Sequence, residues 1–242
     1  MPYSALDGLV GSQQIALFGL PDTTSRQQPG MLITAVDGYW GAGEFIYVRA
    51  AATIRQGATC VLVPAVAGGA YRFDASEVGN NANLGKMVGI AMTPMTVGQF
   101  GWLCISGIVP ALANASIAAN TATGIVAAGQ LGAISAGKQI VNACVIAPAT
   151  TTVVKANSVA NSGSNRLQVT NSDGWFIGAY LSGTGIAAGT TVTDISPDGT
   201  QVTLSAATTA AVNGSVTATY NNATIFYNVL HINRPFAQGA IT

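Results

Sequence analysis

Charged side chains are scarce in this sequence. Asp, Glu, Lys and Arg make up only 7% of the 242 residues, nine of them basic and nine acidic, whereas ordinary globular domains contain about 25%. The surface must therefore consist mainly of Ala, Thr, Ser, Gly and Asn, and a net charge near zero favours association. We expect much of this surface to lie against other chains. Because the basic residues are scattered singly, the sequence argues against nucleic-acid binding.

Long apolar runs are also missing, although 49% of the residues are hydrophobic. The longest apolar stretches, residues 98–113 and 134–149, are interrupted by Gly, Ser, Asn, Lys or Pro. A membrane-spanning helix needs about 20 predominantly apolar residues, so no membrane association is expected. Residues 1–7 lack a basic region followed by an apolar segment, and no secretory signal is expected either.

The few cysteines do not form a metal or disulfide motif. Cys60, Cys104 and Cys144 each lie within an apolar, strand-like run, and no CxxC spacing occurs. An odd number of isolated cysteines argues against a disulfide framework or a zinc site. We interpret them as small buried hydrophobic residues, in keeping with assembly in a reducing cytoplasm.

The residue types that carry catalysis are equally sparse. The single histidine, His231, lies in an alternating run, which favours a structural role. The nearest carboxylate pairs, Asp74 with Glu77 and Asp194 with Asp198, adjoin predicted turns, where solvated carboxylates are common. No nucleophile elbow or His/Cys/Asp cluster is present. The sequence therefore assigns no catalytic, cofactor-binding or metal-binding residue and predicts a protein that is not an enzyme.

One glycine-rich string, residues 183–189, superficially resembles a dinucleotide-binding loop. That motif has to open a helix after a buried strand, so that the phosphate meets the helix N-terminus. Here the next residues, 190–193, read as a strand, and no Lys follows the last glycine. The glycines are better explained as tight β-turns.

Helix signals are almost absent, and short alternating runs punctuated by Gly, Asn, Pro and Asp recur instead. The pattern predicts an all-β fold, a β-barrel or β-sandwich. Strands are expected at residues 31–36, 44–50, 59–64, 70–73, 87–92, 100–109, 124–127, 139–146 and 224–232.

Composition divides the chain into three parts. Residues 1–30 end in a polar, Pro-flanked stretch, residues 21–30, that cannot form a core alone, which suggests an extended N-terminal arm that orders against a partner; a disordered tail is the alternative. Residues 31–156 together with 221–242 form the predicted core. Residues 157–220, rich in Ser, Thr, Gly, Asn and Ala, read as a small inserted β-module that projects outward, with flanks at 150–157 and 221–222 acting as hinges.

Three segments in order resemble head decoration or head-fibre proteins of tailed phages. Residues 31–37 followed by 43–49 resemble a segment in which a G-E-F-I-Y strand follows a Gly- and Tyr-rich turn. The run from 88 to 107, with its Phe-Gly-Trp, and the closing residues 232–236 are similar as well. Shorter members of the family that the chain resembles have only a turn in place of the module. The module itself is similar to a small β-module of phage and bacterial surface proteins.

This resemblance implies a decoration (cement) protein on the outer capsid surface of the virion, made in the host cytoplasm. Its partners would be the major capsid protein and further copies of itself, usually as a homotrimer at junctions between capsid subunits. Such a protein binds the assembled shell and stabilises it by mass action. The residues predicted to contact the shell or another subunit lie in the arm and in segment 39–47: Leu17, Phe18, Leu20, Arg26, Tyr39, Trp40, Phe45 and Tyr47.

Two other hypotheses remain open. The first is a host- or glycan-binding fibre component, with a site in the module around Trp175 and Tyr180, unless both aromatic residues belong to the core. The second is a depolymerase or lyase, which would need a carboxylate or Tyr/His cluster that the sequence does not display.

Overall fold

The computed structural model describes residues 4–5, 21–37, 39–67, 69–196, 198–222 and 224–239. Within these ranges every regular element is a β-strand, which confirms the all-β prediction. The strands form two hydrogen-bonded sheets, one of eleven strands and one of six.

The larger sheet contains these strands: β1 (Ser4–Ala5), β2 (Leu32–Asp37), β3 (Gly41–Ala50), β4 (Thr59–Ala67), β5 (Ala70–Glu77), β6 (Val88–Ala91), β7 (Phe100–Ala113), β8 (Thr121–Ala127), β9 (Gln130–Gly132), β10 (Gln139–Ala147) and β17 (Phe226–Ala237). The smaller sheet contains β11 (Thr152–Ala160), β12 (Arg166–Gln168), β13 (Tyr180–Ser182), β14 (Val192–Ile195), β15 (Gln201–Leu204) and β16 (Val212–Thr219).

The larger sheet closes on itself twice. Strands β3, β5, β4, β6 and β7 pair in that order, and a β3–β7 pairing closes a first ring. Strands β7, β17, β10, β8 and β9 pair in turn, and a β7–β9 pairing closes a second ring. The core is thus a pair of fused barrels that share the 14-residue strand β7.

A glycine allows β7 to serve both barrels. Its first half pairs with β3 as far as Ser106, and its second half pairs with β17 from Ser106 onward. At the junction Gly107 has φ 121°, and a Cβ there would lie 3.0 Å from the Ala42 carbonyl oxygen. Only glycine combines this backbone conformation with such a close approach. Gly107 therefore allows β3 and β17 to pair with adjoining parts of β7.

The smaller sheet also closes. Its outermost strands are β13 and β14, and a bridge between Tyr180 and Thr191 joins them, with Leu181 N donating to Thr190 O at 2.8 Å. Closure pairs two strands that would otherwise offer open edges for association. Along the chain this third barrel lies between β10 and β17, which pair with each other.

Aromatic rings join the third barrel to the fused pair. Phe176 packs edge-on against Tyr220, with ring centroids 4.8 Å apart, and against Tyr227 of β17 at 5.3 Å. Gln56 Nε2 donates to the Ile177 carbonyl at 2.6 Å beside this contact. We call Phe176, Tyr220 and Tyr227 the aromatic joint.

The strand boundaries depart from the sequence-based expectation in three places. The expected hinge at 150–157 is wrong, because β11 begins at Thr152 and pairs with β16. The apolar run 175–181 predicts a strand of the module, but most of it is a buried loop that contributes Phe176 to the aromatic joint, and only its end enters β13. Strand β9 was not expected, since Gln130–Gly132 offers only three residues between turns.

Stability is expected to fall above about pH 9. Burial raises the pKa of the Cys104 thiol and of the Tyr227 hydroxyl to about 12, and it also raises that of Cys60. The unfolded chain loses these protons near pH 9 for Cys and 10 for Tyr, so above those values the native state holds more protons. Each group should then lower the free energy of unfolding by about 1.4 kcal/mol for every unit by which the pH rises. Urea midpoints at about pH 8 and 10.5 measure this slope, and Tyr227→Phe should make it shallower.

Candidate contact surface

Residues 21–31 lie along the first barrel of their own chain. Asp22 and Phe100 exchange backbone hydrogen bonds of 2.8 and 2.9 Å, Gly30 N donates to Tyr47 O at 2.6 Å, and Tyr47 N donates to Met31 O at 2.9 Å. We call this segment the strap. The strap is ordered on its own chain, and the expectation that the arm orders against a partner stays a prediction; Leu17, Phe18 and Leu20 lie outside the described residues.

The Tyr47 hydroxyl holds the strap in place. It donates to Asp22 Oδ2 at 2.7 Å and accepts from Arg26 N at 3.3 Å, while Arg26 Nε pairs with Asp22 Oδ1 at 2.8 Å. The Tyr47 ring packs against Trp102 and Phe100, with centroids 5.0 and 6.0 Å away. Burial, followed by the hydrogen bond to Asp22, raises the pKa of Tyr47. The segment is thus fixed at both its backbone and its side chains.

The prediction that Trp40, Phe45 and Tyr47 belong to a contact surface is wrong, because all three are buried within the chain. Phe45, Ile46 and Val48 belong to the hydrophobic core, and Tyr47 lies against the strap. Alternation along β3 therefore does not expose either set. Tyr39 does remain 52% exposed, and the Arg26 side chain is half exposed.

Tyr47→Phe is expected to loosen the strap without unfolding the barrel. The ring packing stays, but the Asp22 carboxylate and the Arg26 amide lose their shared partner, a loss of about 1–2 kcal/mol. Trypsin cleavage after Arg26 should accelerate roughly tenfold. Tyr71→Phe, which alters an exposed ring, is the matched control; equal cleavage rates in the two variants would contradict this role of Tyr47.

Most arginines are neutralised inside the chain. The expectation that Asp74 and Glu77 are solvated turn residues is wrong, because both lie in β5 and pair with arginines. The ion pairs are Arg26–Asp22 at 2.8 Å, Arg49–Asp74 at 3.8 Å, Arg72–Asp74 at 2.9 Å, Arg55–Glu77 at 2.6 Å and Arg234–Glu44 at 3.1 Å. Five of the six arginines of the sequence are thereby paired, so most of the guanidinium charge is compensated within the chain.

The second predicted carboxylate pair does not form a site. Asp194 lies in β14, and Asp198 lies in the turn that follows that strand. The Asp198 carboxylate accepts hydrogen bonds from the hydroxyls of Ser196 and Thr200 at 2.5 and 2.7 Å. These bonds lower the pKa of Asp198 to about 2. Asp198 therefore shapes the β14–β15 hairpin.

An apolar stripe lies on the β4–β5 hairpin. Pro64 is opposite Phe73 and Val66 is opposite Tyr71, so the four side chains share one face. Tyr71 is 80% exposed and Val66 is 62% exposed. The other face carries Arg72 and Asp74, which pair with each other. We call Pro64, Val66, Tyr71 and Phe73 the hairpin stripe.

This part of the hairpin extends beyond the barrel wall. On one side β6 pairs with β4 only as far as Val61, and on the other side β3 pairs with β5 only at Asp74 and Ala75. Pro64 is tolerated because its missing N–H faces an edge that β6 does not reach. The strap contacts the hairpin near its tip, where Gln28 Nε2 donates to Tyr71 O at 2.9 Å.

Sequence reasoning missed the hairpin stripe, although a signal for it exists. Residues 71–74 alternate Tyr, Arg, Phe and Asp, which places aromatic and charged side chains on opposite faces of one strand. In such a strand the charged face needs solvent or ion-pair partners, whereas the aromatic face needs apolar partners. The sequence does not reveal that the charged face is internally paired.

The alternative glycan site around Trp175 is not available in this structure. Trp175 is 1% exposed and its Nε1 donates to Val153 O at 3.1 Å, so the ring is part of the core. Tyr180 is partly buried at the closure of the third barrel. The glycines of 183–189 do form turns, since Gly185 and Gly189 have φ near 80°.

The structure also places the cysteines and the single histidine. Cys60 and Cys104 are buried as expected, and Cys144 is partly buried. His231 lies exposed on β17, opposite Ile108 and Cys144 on the neighbouring strands. Over the described ranges, no group of three or more His, Cys, Asp or Glu residues could hold a metal ion. The same residues include no helix long and apolar enough to cross a membrane.

Comparison with known proteins gives no assignment: no family model, no curated protein and no solved structure matches this chain.

Proposed function

We propose that this protein is a non-catalytic structural protein that binds the outer surface of an assembled phage capsid and stabilises it by bridging neighbouring major capsid proteins. The observation that carries the proposal is the hairpin stripe, an exposed apolar surface that projects from a barrel whose arginines are mostly paired internally. The resemblance of residues 31–49, 88–107 and 232–236 to decoration proteins supports the same assignment.

The stripe would form the apolar centre of the contact. Its three exposed side chains and the accessible part of Phe73, which packs against the core, present on the order of a few hundred Å² at most, whereas a specific interface needs about 800 Å² from each partner. The uncharged Thr, Ser and Ala surface around the stripe would supply the rest with little desolvation of charge. Homotrimers would place three stripes against the shell together, and avidity would then convert weak single contacts into stable attachment.

Binding to undecorated phage heads tests this proposal. Purified protein should co-sediment with expanded heads at a fixed number of copies per head, and Val66→Ser/Tyr71→Ser should weaken binding at least tenfold by removing the apolar centre. Val97→Ser/Val159→Ser, which alters two exposed valines outside the stripe, is the matched control and should bind as the unaltered protein does. Absence of binding to expanded heads would overturn the proposal, and equal binding by both double variants would exclude the stripe.

A further inference from the structure

A row of polar side chains crosses four strands of the fused barrels. Thr34 on β2 is opposite Glu44 on β3, Glu44 is opposite Ser106 on β7, and Ser106 is opposite Asn233 on β17. Directly opposed residues share a face, and strands spaced about 4.8 Å apart make the row roughly 14 Å long. The five polar side chains Thr34, Glu44, Ser106, Asn233 and Arg234 line one open groove of about 470 Å³, together with Ala42 and Gly43.

The backbone of β17 is distorted where it meets this groove. Ile232 is opposite Ala143 and Phe236 is opposite Val141, so residues 233–235 form a bulge opposite Asn142 alone. Within the bulge Arg234 has φ 45° although a proline follows it. A residue before proline strongly prefers extended backbone, and a positive φ is uncommon for any residue other than glycine. Bulges of this kind redirect side chains and are frequent beside binding sites.

The bulge directs Arg234 over the polar row. Its Nε and Nη2 donate to Glu44 Oε2 and Oε1 at 3.1 and 3.2 Å, while 63% of the arginine side chain stays exposed. The pair has no net charge, but each member keeps free hydrogen-bonding capacity toward solvent. The hydroxyls of Thr34 and Ser106 and the amide of Asn233 can both donate and accept.

We propose that this groove binds a neutral oligosaccharide. Sugar hydroxyls donate and accept at once, which matches a row that mixes both functions and carries no net charge. The volume lies within the range of about 300–1,000 Å³ typical of small-molecule sites. An acidic ligand would meet the Glu44 carboxylate, and a peptide strand would need a free sheet edge, whereas the row lies on a sheet face. This inference does not depend on capsid binding.

NMR titration with defined sugars tests the proposal. Maltohexaose, cellohexaose and chitohexaose are each added up to about 10 mM to ¹⁵N-labelled protein. We expect at least one of them to shift the Arg234 Nε–H and Asn233 side-chain amide signals in a saturable way. Hexagalacturonate, an acidic hexasaccharide, should not shift them. No shift with any neutral sugar, or stronger shifts with hexagalacturonate, would overturn the proposal.

Two variants and one control tie binding to the groove. Glu44→Gln/Asn233→Ala should weaken the affinity about tenfold, and Thr34→Val, which keeps the ion pair, about threefold. Gln201→Ala removes the partner of another exposed arginine, Arg166, on the third barrel, where the pair is 2.7 Å apart, and should leave the affinity unchanged. The assignment would be contradicted if both the Thr34→Val protein and the double variant fold and bind the sugar with unaltered affinity. The sugar would then bind elsewhere.

Discussion

Asn228→Ala is expected to lower the free energy of unfolding by about 3–5 kcal/mol. The Asn228 side chain is fully buried, and its Oδ1 accepts two backbone hydrogen bonds, from Ile117 N at 3.0 Å and Ala149 N at 2.9 Å. Its Nδ2 donates to Ala115 O at 3.0 Å. Alanine would leave two buried backbone N–H groups and the partly buried hydrogen bond of the Ala115 carbonyl without this partner, and each buried group costs about 1–3 kcal/mol when unsatisfied. Urea denaturation of the two proteins measures the difference.

Asn222→Ala provides the matched control. Asn222 Oδ1 also accepts two backbone N–H groups, from Thr224 at 2.8 Å and Ile225 at 2.7 Å, but these bonds are exposed. Water can replace the lost acceptor there, so the cost should stay below about 1 kcal/mol. Equal costs at Asn222 and Asn228 would show that burial does not determine the effect. Asn228 thus anchors the loops that lead into β8 and into the third barrel.

Phe176→Ala is expected to cost about 3–5 kcal/mol and to separate the unfolding of the third barrel from that of the fused pair. Phe176 is 2% exposed, and its ring contacts one tyrosine of its own barrel and another of β17. Removing the ring leaves a cavity at the aromatic joint, where the third barrel packs against the fused pair.

Calorimetry distinguishes the outcomes. The unaltered protein should unfold in one transition, and the Phe176→Ala protein in two, the first at a lower temperature. Phe236→Ala, which truncates a ring that is 40% exposed, should keep one transition. A single transition for Phe176→Ala with little change in midpoint would show that the aromatic joint does not couple the barrels.

Much of the fold follows from local sequence. The alternation along β3, the turn residues before β15 and the lack of helical periodicity predict β-structure throughout, as the structure confirms. Ring closure could not be predicted, because it depends on pairings such as Glu44 with Ser106 and Ala113 with Leu131, far apart in sequence. Nothing local distinguishes β7 as a strand shared by two barrels.

The candidate surfaces were harder to predict for a related reason. A period of two identifies the two faces of β3. It does not show that the strap covers Tyr47 or that Phe45 belongs to the hydrophobic core, so both side chains look available from the sequence alone. The reverse holds for Tyr71, whose exposure depends on β3 and β6 stopping short of the hairpin. The polar groove depends on the pairing of four strands, with β3 and β17 both opposite Ser106 of β7, and on one distorted residue, Arg234.

Thermal disruption of the capsid tests the central claim most directly. Expanded, undecorated heads are heated with and without saturating protein, and release of the packaged DNA is followed with an intercalating dye. A protein that bridges neighbouring capsid subunits binds only the assembled shell, so it should raise the disruption temperature in proportion to occupancy. An unchanged disruption temperature at full occupancy would contradict the claim that this protein cements the shell.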